Sequence, residues 1–287
     1  MGASKRILIV DADPEVHRIL QSALNAPGRT IEGFFDGATA LHSLESSPAD
    51  LLMTEVNAPG IDGKALIARA RELVPHIRVV VMTAANDPET VVGALCNQAF
   101  CYFSKPFLMN SVTEIVDSAL RAEPSEDDIE VLSARAEWLS LNLRCKMETA
   151  DRILQFVREL GMDLPHKEQE ALATAFREIL LNAIEHGGGS NPNNKVRITH
   201  IRTKRAMLYY VRDPGKGFSM DKLPHAAISN AREAPTEHVD VREKLGMRPG
   251  GFGILMTRQL VDELIYNQAG NEVLLVKYLD SPGHQSL

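Results

Sequence analysis

Roughly the first 120 residues of this 287-residue chain alternate short apolar runs with longer amphipathic segments. A short apolar run predicts a strand buried on both faces, and an apolar repeat near 3.6 predicts a helix with one buried face. The predicted strands are Arg6–Val10, Thr30–Phe35, Leu51–Glu55, Arg78–Thr83 and Phe100–Ser104. The predicted helices are Pro14–Asn25, Gly37–Ser46, Gly63–Leu73, Pro88–Asn97 and Asn110–Arg121. Regular alternation of strands and helices predicts a parallel sheet covered on both faces, a flavodoxin-like α/β fold.

The second half groups its helices with strands that are typical of an antiparallel sheet. The predicted strands are Trp138–Cys145, Lys195–Thr203, Met207–Arg212 and Glu272–Leu279, and the predicted helices are Thr149–Leu160, Lys167–His186 and Gly253–Glu263. This grouping predicts a two-layer α+β domain. An acidic segment with Pro and Ser, residues 123–128, is typical of a linker. We therefore expect domains at residues 1–121 and 138–287, joined by a linker at 122–137 in which Ile129–Glu137 is a short helix or an extended connector.

Composition narrows the class of protein. Hydrophobic residues make up 44% of the chain, and no apolar run is long enough for a bilayer span or a leader, so we expect a cytoplasmic protein without a membrane segment. The three cysteines lack metal-ligand spacing, and their odd number argues against a disulfide framework. The net charge of −7 argues against binding to nucleic acid, which depends on basic patches.

Residues 176–188, FREILLNAIEHGG, combine a polar stripe with a glycine stop. A helical repeat places Glu178, Asn182 and Glu185 on one face, and the glycines are typical of a helix C-terminus. A carboxylate and a carboxamide offer oxygen ligands to a small hard cation such as Mg²⁺, which is usually shared with substrate phosphates. The alternative is an amphipathic helix whose polar stripe faces solvent.

Two glycine motifs favour a nucleotide pocket over that alternative. DPGKGF at residues 213–218 follows a predicted strand, and RPGGFGI at residues 248–254 opens a predicted helix. Glycines let the backbone approach a phosphate closely, and the amides and dipole at a helix N-terminus attract phosphate oxygens. Asp213, at the strand end, could accept a hydrogen bond from an exocyclic amine.

The asparagine helix, the Asp-x-Gly-x-Gly turn and the second glycine loop, in this order, resemble the ATPase superfamily of gyrase, histidine kinases and the MutL proteins. The resemblance spans roughly residues 138–279, and NAIEHG is most similar to the anti-sigma-factor serine kinases of bacterial partner switching. It implies that Asn182 coordinates Mg²⁺, that Asp213 binds the adenine amino group and that Glu178 is the general base toward a serine hydroxyl. It also implies nucleotide contacts from Glu185, Gly215, Gly217, Gly251, Phe252 and Gly253.

By the same resemblance, residues 219–249 would form a lid over ATP. Three basic residues flank the second glycine loop, and one or more could contact the terminal phosphate: Arg242, Lys244 and Arg248. The alternative is a run of charges that faces solvent. Many members of the superfamily carry a threonine near the last strand that helps to hold adenine. This chain has Asn271 at or near that place.

The resemblance implies an ATP- and Mg²⁺-dependent serine/threonine kinase, with a STAS-like anti-sigma antagonist or a sigma factor as its protein partner. One alternative is an ATP-binding protein with weak or no catalysis that sequesters such a partner. Another is a kinase for an external histidine phosphotransfer protein, with a sensor kinase as a further candidate partner. A conventional histidine kinase is disfavoured because residues 121–138 contain no histidine and have little room for a helical hairpin. Self-association into a homodimer is a further alternative that the sequence does not decide.

The N-terminal half resembles the receiver domain of two-component response regulators over roughly residues 5–121. The run ILIVDADP matches the acidic end of the first receiver strand and contains Asp11 and Asp13. Thr83 matches the switch hydroxyl, Lys105 the conserved lysine and Tyr102 the switch aromatic. The resemblance also implies a cis peptide bond between this lysine and the proline that follows it.

Two departures affect the usual chemistry of a receiver. Ala12 occupies the place of a metal-binding aspartate, and Glu55 replaces the phosphoacceptor aspartate. Acyl phosphate formation needs a metal and a carboxylate at a set depth, so we predict a pseudo-receiver that is not phosphorylated in the usual way. Asp13 could compensate for the missing aspartate, but side chains alternate in direction along a strand, so we expect it to point differently from Ala12. Two outcomes are open: Glu55 could reach Lys105 and the switch threonine and imitate phosphorylation, or it could neutralise the lysine in a scaffold or docking domain.

Overall fold

The computed structural model describes residues 4–84, 87–121, 128–218 and 253–279. These residues form two compact units that divide the chain between residues 127 and 128. Each unit has its own sheet, parallel in the first and antiparallel in the second, which confirms the predicted fold class. None of the helices in these ranges is long and apolar enough to cross a bilayer.

The first unit contains a five-stranded parallel sheet with the order β2-β1-β3-β4-β5. Its strands are β1 (Lys5–Val10), β2 (Arg29–Phe34), β3 (Leu51–Glu55), β4 (Arg78–Thr83) and β5 (Cys101–Ser104). Its helices are α1 (Pro14–Leu24), α2 (Gly37–Ser46), α3 (Gly63–Leu73), α4 (Pro88–Cys96) and α5 (Met109–Arg121). Every strand and helix predicted for this half is confirmed, with ends displaced by one residue at most.

Burial explains why the first sheet could be predicted so closely. Strands β1 and β3 lie inside the sheet, and their apolar runs are covered on both faces; Ile7, Leu8, Leu51 and Leu52 are all 0% exposed. The carboxyl ends of parallel strands meet at one edge, where side chains from several loops come together. This edge holds the candidate receiver site.

The second unit contains a six-stranded sheet with the order β10-β11-β9-β8-β7-β6. Its strands are β6 (Ile129–Arg135), β7 (Trp138–Arg144), β8 (Lys195–Arg202), β9 (Ala206–Arg212), β10 (Glu263–Tyr266) and β11 (Glu272–Tyr278). Its helices are α6 (Met147–Leu160), α7 (His166–Asn182) and α8 (Gly253–Leu260). Helix α7 packs on the sheet, where the Phe176 ring lies 5.2 Å from the ring of Tyr209 in β9.

Both edge strands of this sheet differ from the prediction. Residues 129–135, expected in a connector, form β6 and pair with β7, because apolar residues such as the buried Ile129 alternate with exposed ones. The helix expected to reach Glu263 ends at Leu260, and Glu263 begins β10. The amide of Asp262 donates to the carbonyl of Val276, 3.1 Å away, and so brings the chain to the sheet at that point.

The end of the long central helix also differs from the prediction. The α-helical part stops at Asn182, and Ala183–Gly187 continue as a π-helical turn. A π turn winds the chain more widely than an α turn, so the 3.6-residue repeat does not extend to Glu185. Glu185 is half-buried in this turn, and its predicted nucleotide contact stays a prediction.

Candidate functional site

The contact between α7 and α8 joins the two halves of the predicted phosphate site. A Cβ atom at Gly253, the first residue of α8, would lie 2.7 Å from Glu178 Oε2 and 3.7 Å from Asn182 Nδ2. Glu178 and Asn182 are both half-buried. A carboxylate, a carboxamide and a helix N-terminus therefore converge, and this arrangement suits a phosphate accompanied by a cation.

A hydroxyl group that the sequence analysis missed holds the first turn of α8 in place. Thr257 is fully buried, and its Oγ1 donates to the carbonyl oxygen of Gly253 at 2.8 Å. The sequence does contain a signal for this hydrogen bond: the threonine lies four residues after the glycine, and threonine often donates to the carbonyl four residues earlier in a helix.

Asp213 follows β9 and is enclosed by glycines. A Cβ atom at Gly187 would lie 2.2 Å from Asp213 Cγ, and one at Gly215 would lie 2.8 Å from Asp213 Oδ1. The amide of Gly215 donates to the same Oδ1 at 2.7 Å. The carboxyl group can occupy this place only because both neighbouring residues lack a side chain.

The surroundings of Asp213 are apolar enough to affect ionisation. Burial raises the pKa of Asp213, and the hydrogen bond from the Gly215 amide partly opposes this rise. Burial and the charge of Asp213 also raise the pKa of the Cys145 thiol. Burial also raises the pKa of Tyr266, and the negative charge of Asp213 adds to this rise. A carboxylate in a largely desolvated pocket suits a flat heterocycle that carries one amino group.

Asn271 fixes the position of the glycine turn. Its backbone carbonyl accepts from the amide of Asp213 at 3.1 Å, and its Nδ2 donates to the carbonyl of Gly215 at 3.3 Å. Its Oδ1 in turn accepts from Asn267 Nδ2 at 2.9 Å. Gly217, at φ +74°, packs so closely that a Cβ there would lie 2.0 Å from the carbonyl of Ala269. The residue expected to replace the family's threonine therefore supports the turn, and a contact with adenine stays a prediction.

Several predicted contacts lie outside the described residues. These are Gly251, Phe252 and the lid at residues 219–249, with Arg242, Lys244 and Arg248. Within the described ranges there is no group of three or more His, Cys, Asp or Glu side chains that could hold a metal. Mg²⁺ in a nucleotide site needs only one or two protein oxygens beside the phosphates, so Asn182 fits that role.

In the first unit, Lys105 joins two carboxylates at the carboxyl edge of the sheet. Its Nζ lies 2.6 Å from Asp11 Oδ2 and 2.8 Å from Glu55 Oε2, and the Asp11 side chain is only 2% exposed. Burial opposes charge on the lysine, but its hydrogen bonds to the two carboxylates outweigh burial and raise the pKa of Lys105. Glu55 therefore contacts Lys105, as both interpretations of the pseudo-receiver require.

The structure also describes the remaining receiver positions. Asp13 caps α1, and its Oδ1 accepts from the amide of Glu15 at 2.8 Å, so this oxygen already has a hydrogen-bond donor. Thr83 and Tyr102 are buried at 1% and 0% exposure. The peptide bond between Lys105 and Pro106 is cis, as predicted.

Comparison with known proteins agrees with this division of the chain. The response regulator receiver domain family matches residues 7–117, and the histidine kinase-like ATPase domain family matches residues 143–277. The chain is 33% identical over 114 residues to the DNA-binding transcriptional regulator NtrC of Escherichia coli K12, covering 40% of this chain and 24% of NtrC. It is 32% identical over 142 residues to the regulatory protein AtoC of the same organism, covering 48% of this chain and 31% of AtoC. The chain therefore spans less than a third of either relative.

Two of the solved structures to which this chain is similar are receiver domains. The signal receiver domain of an HD domain-containing protein from Pseudomonas fluorescens Pf-5 is 26% identical, with a TM-score of 0.40, and covers 42% of this chain and 89% of that one. A CheY-like receiver domain protein from Methanospirillum hungatei JF-1 is 25% identical, with a TM-score of 0.39, and covers 41% of this chain and 94% of that one. The family matches identify this chain as a signalling protein in which a response regulator receiver domain is followed by a histidine kinase-like ATPase domain.

Proposed function

We propose that the chain is an ATP- and Mg²⁺-dependent serine/threonine protein kinase of the anti-sigma-factor type, regulated by or docked through its degenerate receiver domain. The convergence of Glu178, Asn182 and Gly253 carries the proposal. A carboxylate beside a carboxamide and a helix N-terminus supports it, because transfer to a hydroxyl group needs a base near a metal and a phosphate.

Asp213 supports adenine as the base. An ionised carboxylate accepts a hydrogen bond from the amino group of adenine, whereas guanine presents a carbonyl oxygen at the same position and would be repelled. Because Gly187 and Gly215 have no side chain, the Asp213 carboxyl group fits between them, and the backbone can lie near the adenine ring.

Asn182 and the start of α8 support the phosphate end of the nucleotide. The carboxamide oxygen of Asn182 would hold Mg²⁺, which neutralises charge on the phosphate oxygens when it is bound. The N-terminal amides of α8 would bind a phosphate oxygen, and Thr257 keeps that turn in position. Glu178 would accept the proton of a serine or threonine hydroxyl on a STAS-like antagonist or a sigma factor.

The test is phosphate transfer from [γ-³²P]ATP by the full chain, with Mg²⁺, to a panel of purified STAS-domain proteins and sigma factors. We expect a labelled protein whose label resists acid and is released by alkali, as a serine or threonine ester does. A label that resists alkali and is released by acid would instead indicate transfer to histidine. ATP-dependent capture of a panel protein without any transfer would support the partner-sequestering alternative and overturn the kinase assignment.

A further inference from the structure

The antiparallel sheet of the second unit has two different faces. Tyr209 and Lys277 point toward α7: the tyrosine ring contacts Phe176, and the lysine Nζ lies 3.0 Å from Glu168 Oε2. Because side chains alternate along a strand, the residues next to them project to the opposite side, which we call the outer face. Its exposed or partly exposed apolar members are Trp138, Ile201, Leu208, Tyr210, Leu274 and Ile265, whereas Val276 on the same face is buried.

These apolar residues form one continuous band across the strands. Ile201 is the backbone partner of both Trp138 and Leu208, and Leu274 is the partner of both Tyr210 and Ile265. The band is therefore diagonal: it follows one row from β7 to β9 and the adjacent row from β9 to β10, and the two parts meet at Leu208 and Tyr210 on β9. Trp138 is 46% exposed and Ile265 is 50% exposed. Five strands at the usual spacing give the band a length of about 19 Å. A band of this size indicates an interaction surface.

Two arginines border the band. Arg197 and Arg212 are backbone partners on the middle strands β8 and β9, and both are exposed. Arg212 Nε lies 3.3 Å from Glu272 Oε1, and Arg197 donates to the side-chain oxygen of Asn142 at 3.2 Å. Glu130 lies near Arg197, but Lys195 also contacts Glu130, at 2.8 Å, so three cations face two carboxylates along this border. The border is therefore basic at the centre of the sheet.

The placement of these arginines disfavours a second copy of the chain as the occupant. Two copies packed face to face are related by a two-fold axis that lies in the interface. An axis along the strands would put Arg197 of each copy opposite Arg212 of the other, since β8 and β9 are the middle strands. An axis across the strands would put the arginines on the apolar band. Both arrangements set like charges together or bury them against apolar groups.

We propose that the outer face docks an amphipathic segment of another protein, apolar along one side and acidic along its border. A helix rises 1.5 Å per residue, so about 13 residues would cover the length of the band. Leucine-like side chains would lie on the band, and glutamate or aspartate would lie on Arg197 and Arg212. This docking needs no nucleotide and is independent of the proposed kinase activity.

The chain itself carries a probe for this test. Trp138 is its single tryptophan and lies at the end of the band, so emission from the full chain reports on the outer face directly. The ligand is a synthetic amphipathic helix of leucine and glutamate, and the matched peptide has lysine in place of glutamate. We expect the leucine–glutamate peptide to shift Trp138 emission to the blue in a saturable way, and the leucine–lysine peptide to leave it unchanged.

Variants test the contribution of charge. Replacing Arg197→Gln and Arg212→Gln together should weaken binding of the leucine–glutamate peptide at least about tenfold, and raised salt should weaken binding to the unaltered chain. Lys204→Gln, at an exposed position between β8 and β9, is the control and should bind as the unaltered chain does. Circular dichroism checks that each variant is folded.

Three results would overturn the proposal. Equal responses to the two peptides would show an apolar surface without a preference for acidic partners. No response to either peptide would show that the face does not dock such helices. Emission that shifts with protein concentration alone, together with sedimentation as a dimer, would identify a second copy as the occupant.

Discussion

Gly187 lies so close to Asp213 that a Cβ atom at residue 187 would come within 2.2 Å of the Asp213 Cγ atom. The π-helical turn after α7 and the end of β9 therefore meet at a position where only glycine fits. The two motifs that the sequence presents separately, NAIEHG and DPGKG, are one structural unit at this contact.

Gly187→Ala should lower the affinity for ATP by about tenfold or more, because the added methyl group must displace the carboxyl group that accepts the adenine amine. Isothermal titration calorimetry of the full chain measures this change. The control is Gly161→Ala, where the nearest atom to the new Cβ is 3.6 Å away, and this variant should bind ATP normally. Unchanged affinity in Gly187→Ala would contradict the role given to Asp213.

Glu178→Gln should reduce phosphate transfer by about 10²–10⁴-fold, the usual effect of losing a general base, while the Kd for Mg-ATP stays close to its original value. Glutamine keeps the shape beside Gly253, so the pocket is preserved. Single-turnover transfer and calorimetry separate the two quantities. Glu148→Gln, at an exposed position on α6, is the control. A parallel loss of binding and transfer would argue that Glu178 only holds the nucleotide.

Asn182→Ala should weaken ATP binding in the presence of Mg²⁺ and change it little in the presence of EDTA, since the carboxamide acts through the metal. The measurement is a pair of ATP titrations, with and without Mg²⁺, on the unaltered chain and the variant. If the variant loses the same affinity in both conditions, Asn182 contacts the nucleotide directly or supports the fold.

The receiver domain should form no adduct with beryllofluoride and Mg²⁺, because Lys105 and the backbone amide of Val56 already engage the carboxylate of Glu55. Fluorine NMR and intact mass spectrometry test this. The double substitution Ala12→Asp with Glu55→Asp restores the missing ligand and the acceptor depth, and it should take up beryllofluoride. A stable adduct on Glu55 in the unaltered chain would rule out the pseudo-receiver interpretation.

His200 should make the second unit sensitive to acid. Burial, together with the nearby charge of Arg202, lowers the pKa of His200 to about 4. Below the unfolded pKa of about 6.5, the unfolded chain binds a proton that the folded chain does not. As the pH is lowered below about 6.5, the free energy of unfolding therefore decreases by at most about 1.4 kcal/mol per pH unit, until the pH nears the folded pKa of about 4. Above pH ~7 this histidine has no effect on the free energy of unfolding.

His200→Leu should remove this part of the acid sensitivity. Urea unfolding followed by Trp138 emission reports on the second unit, because Trp138 pairs with Ile201, next to His200. His166→Leu, at an exposed position, should keep the original slope. A slope in His200→Leu identical to that of the unaltered chain would show that other groups cause the acid loss.

The first domain could be predicted almost completely because each signal in it is local. Apolar runs form strands that are buried on both faces, and aspartates begin several helices: Asp13, Asp36 and Asp87 each accept an amide of the following helix. The Asp11, Glu55 and Lys105 cluster could also be predicted, since parallel strands bring their carboxyl ends to one edge.

The second domain could be predicted less completely because its missing features depend on tertiary contacts. Strand β10 is only four residues long, and its pairing with β11 decides its conformation. The π-helical turn ends at Gly187, which meets Asp213 in a contact between distant residues that no local pattern expresses. Asn182 and Glu178, which lie within the regular helix, kept their predicted relationship.

Strand β6 covers the backbone edge of β7 in the second domain. It pairs along β7, whose N–H and C=O groups would otherwise form the open edge of the sheet. A proteolytic cut between Arg135 and Trp138 would expose that edge and invite strand pairing between molecules, whereas a cut before Ile129 would leave it covered. The choice of cleavage point, by a cellular protease or by an experimenter, therefore decides whether β6 or β7 is the outer strand of the separated ATPase domain.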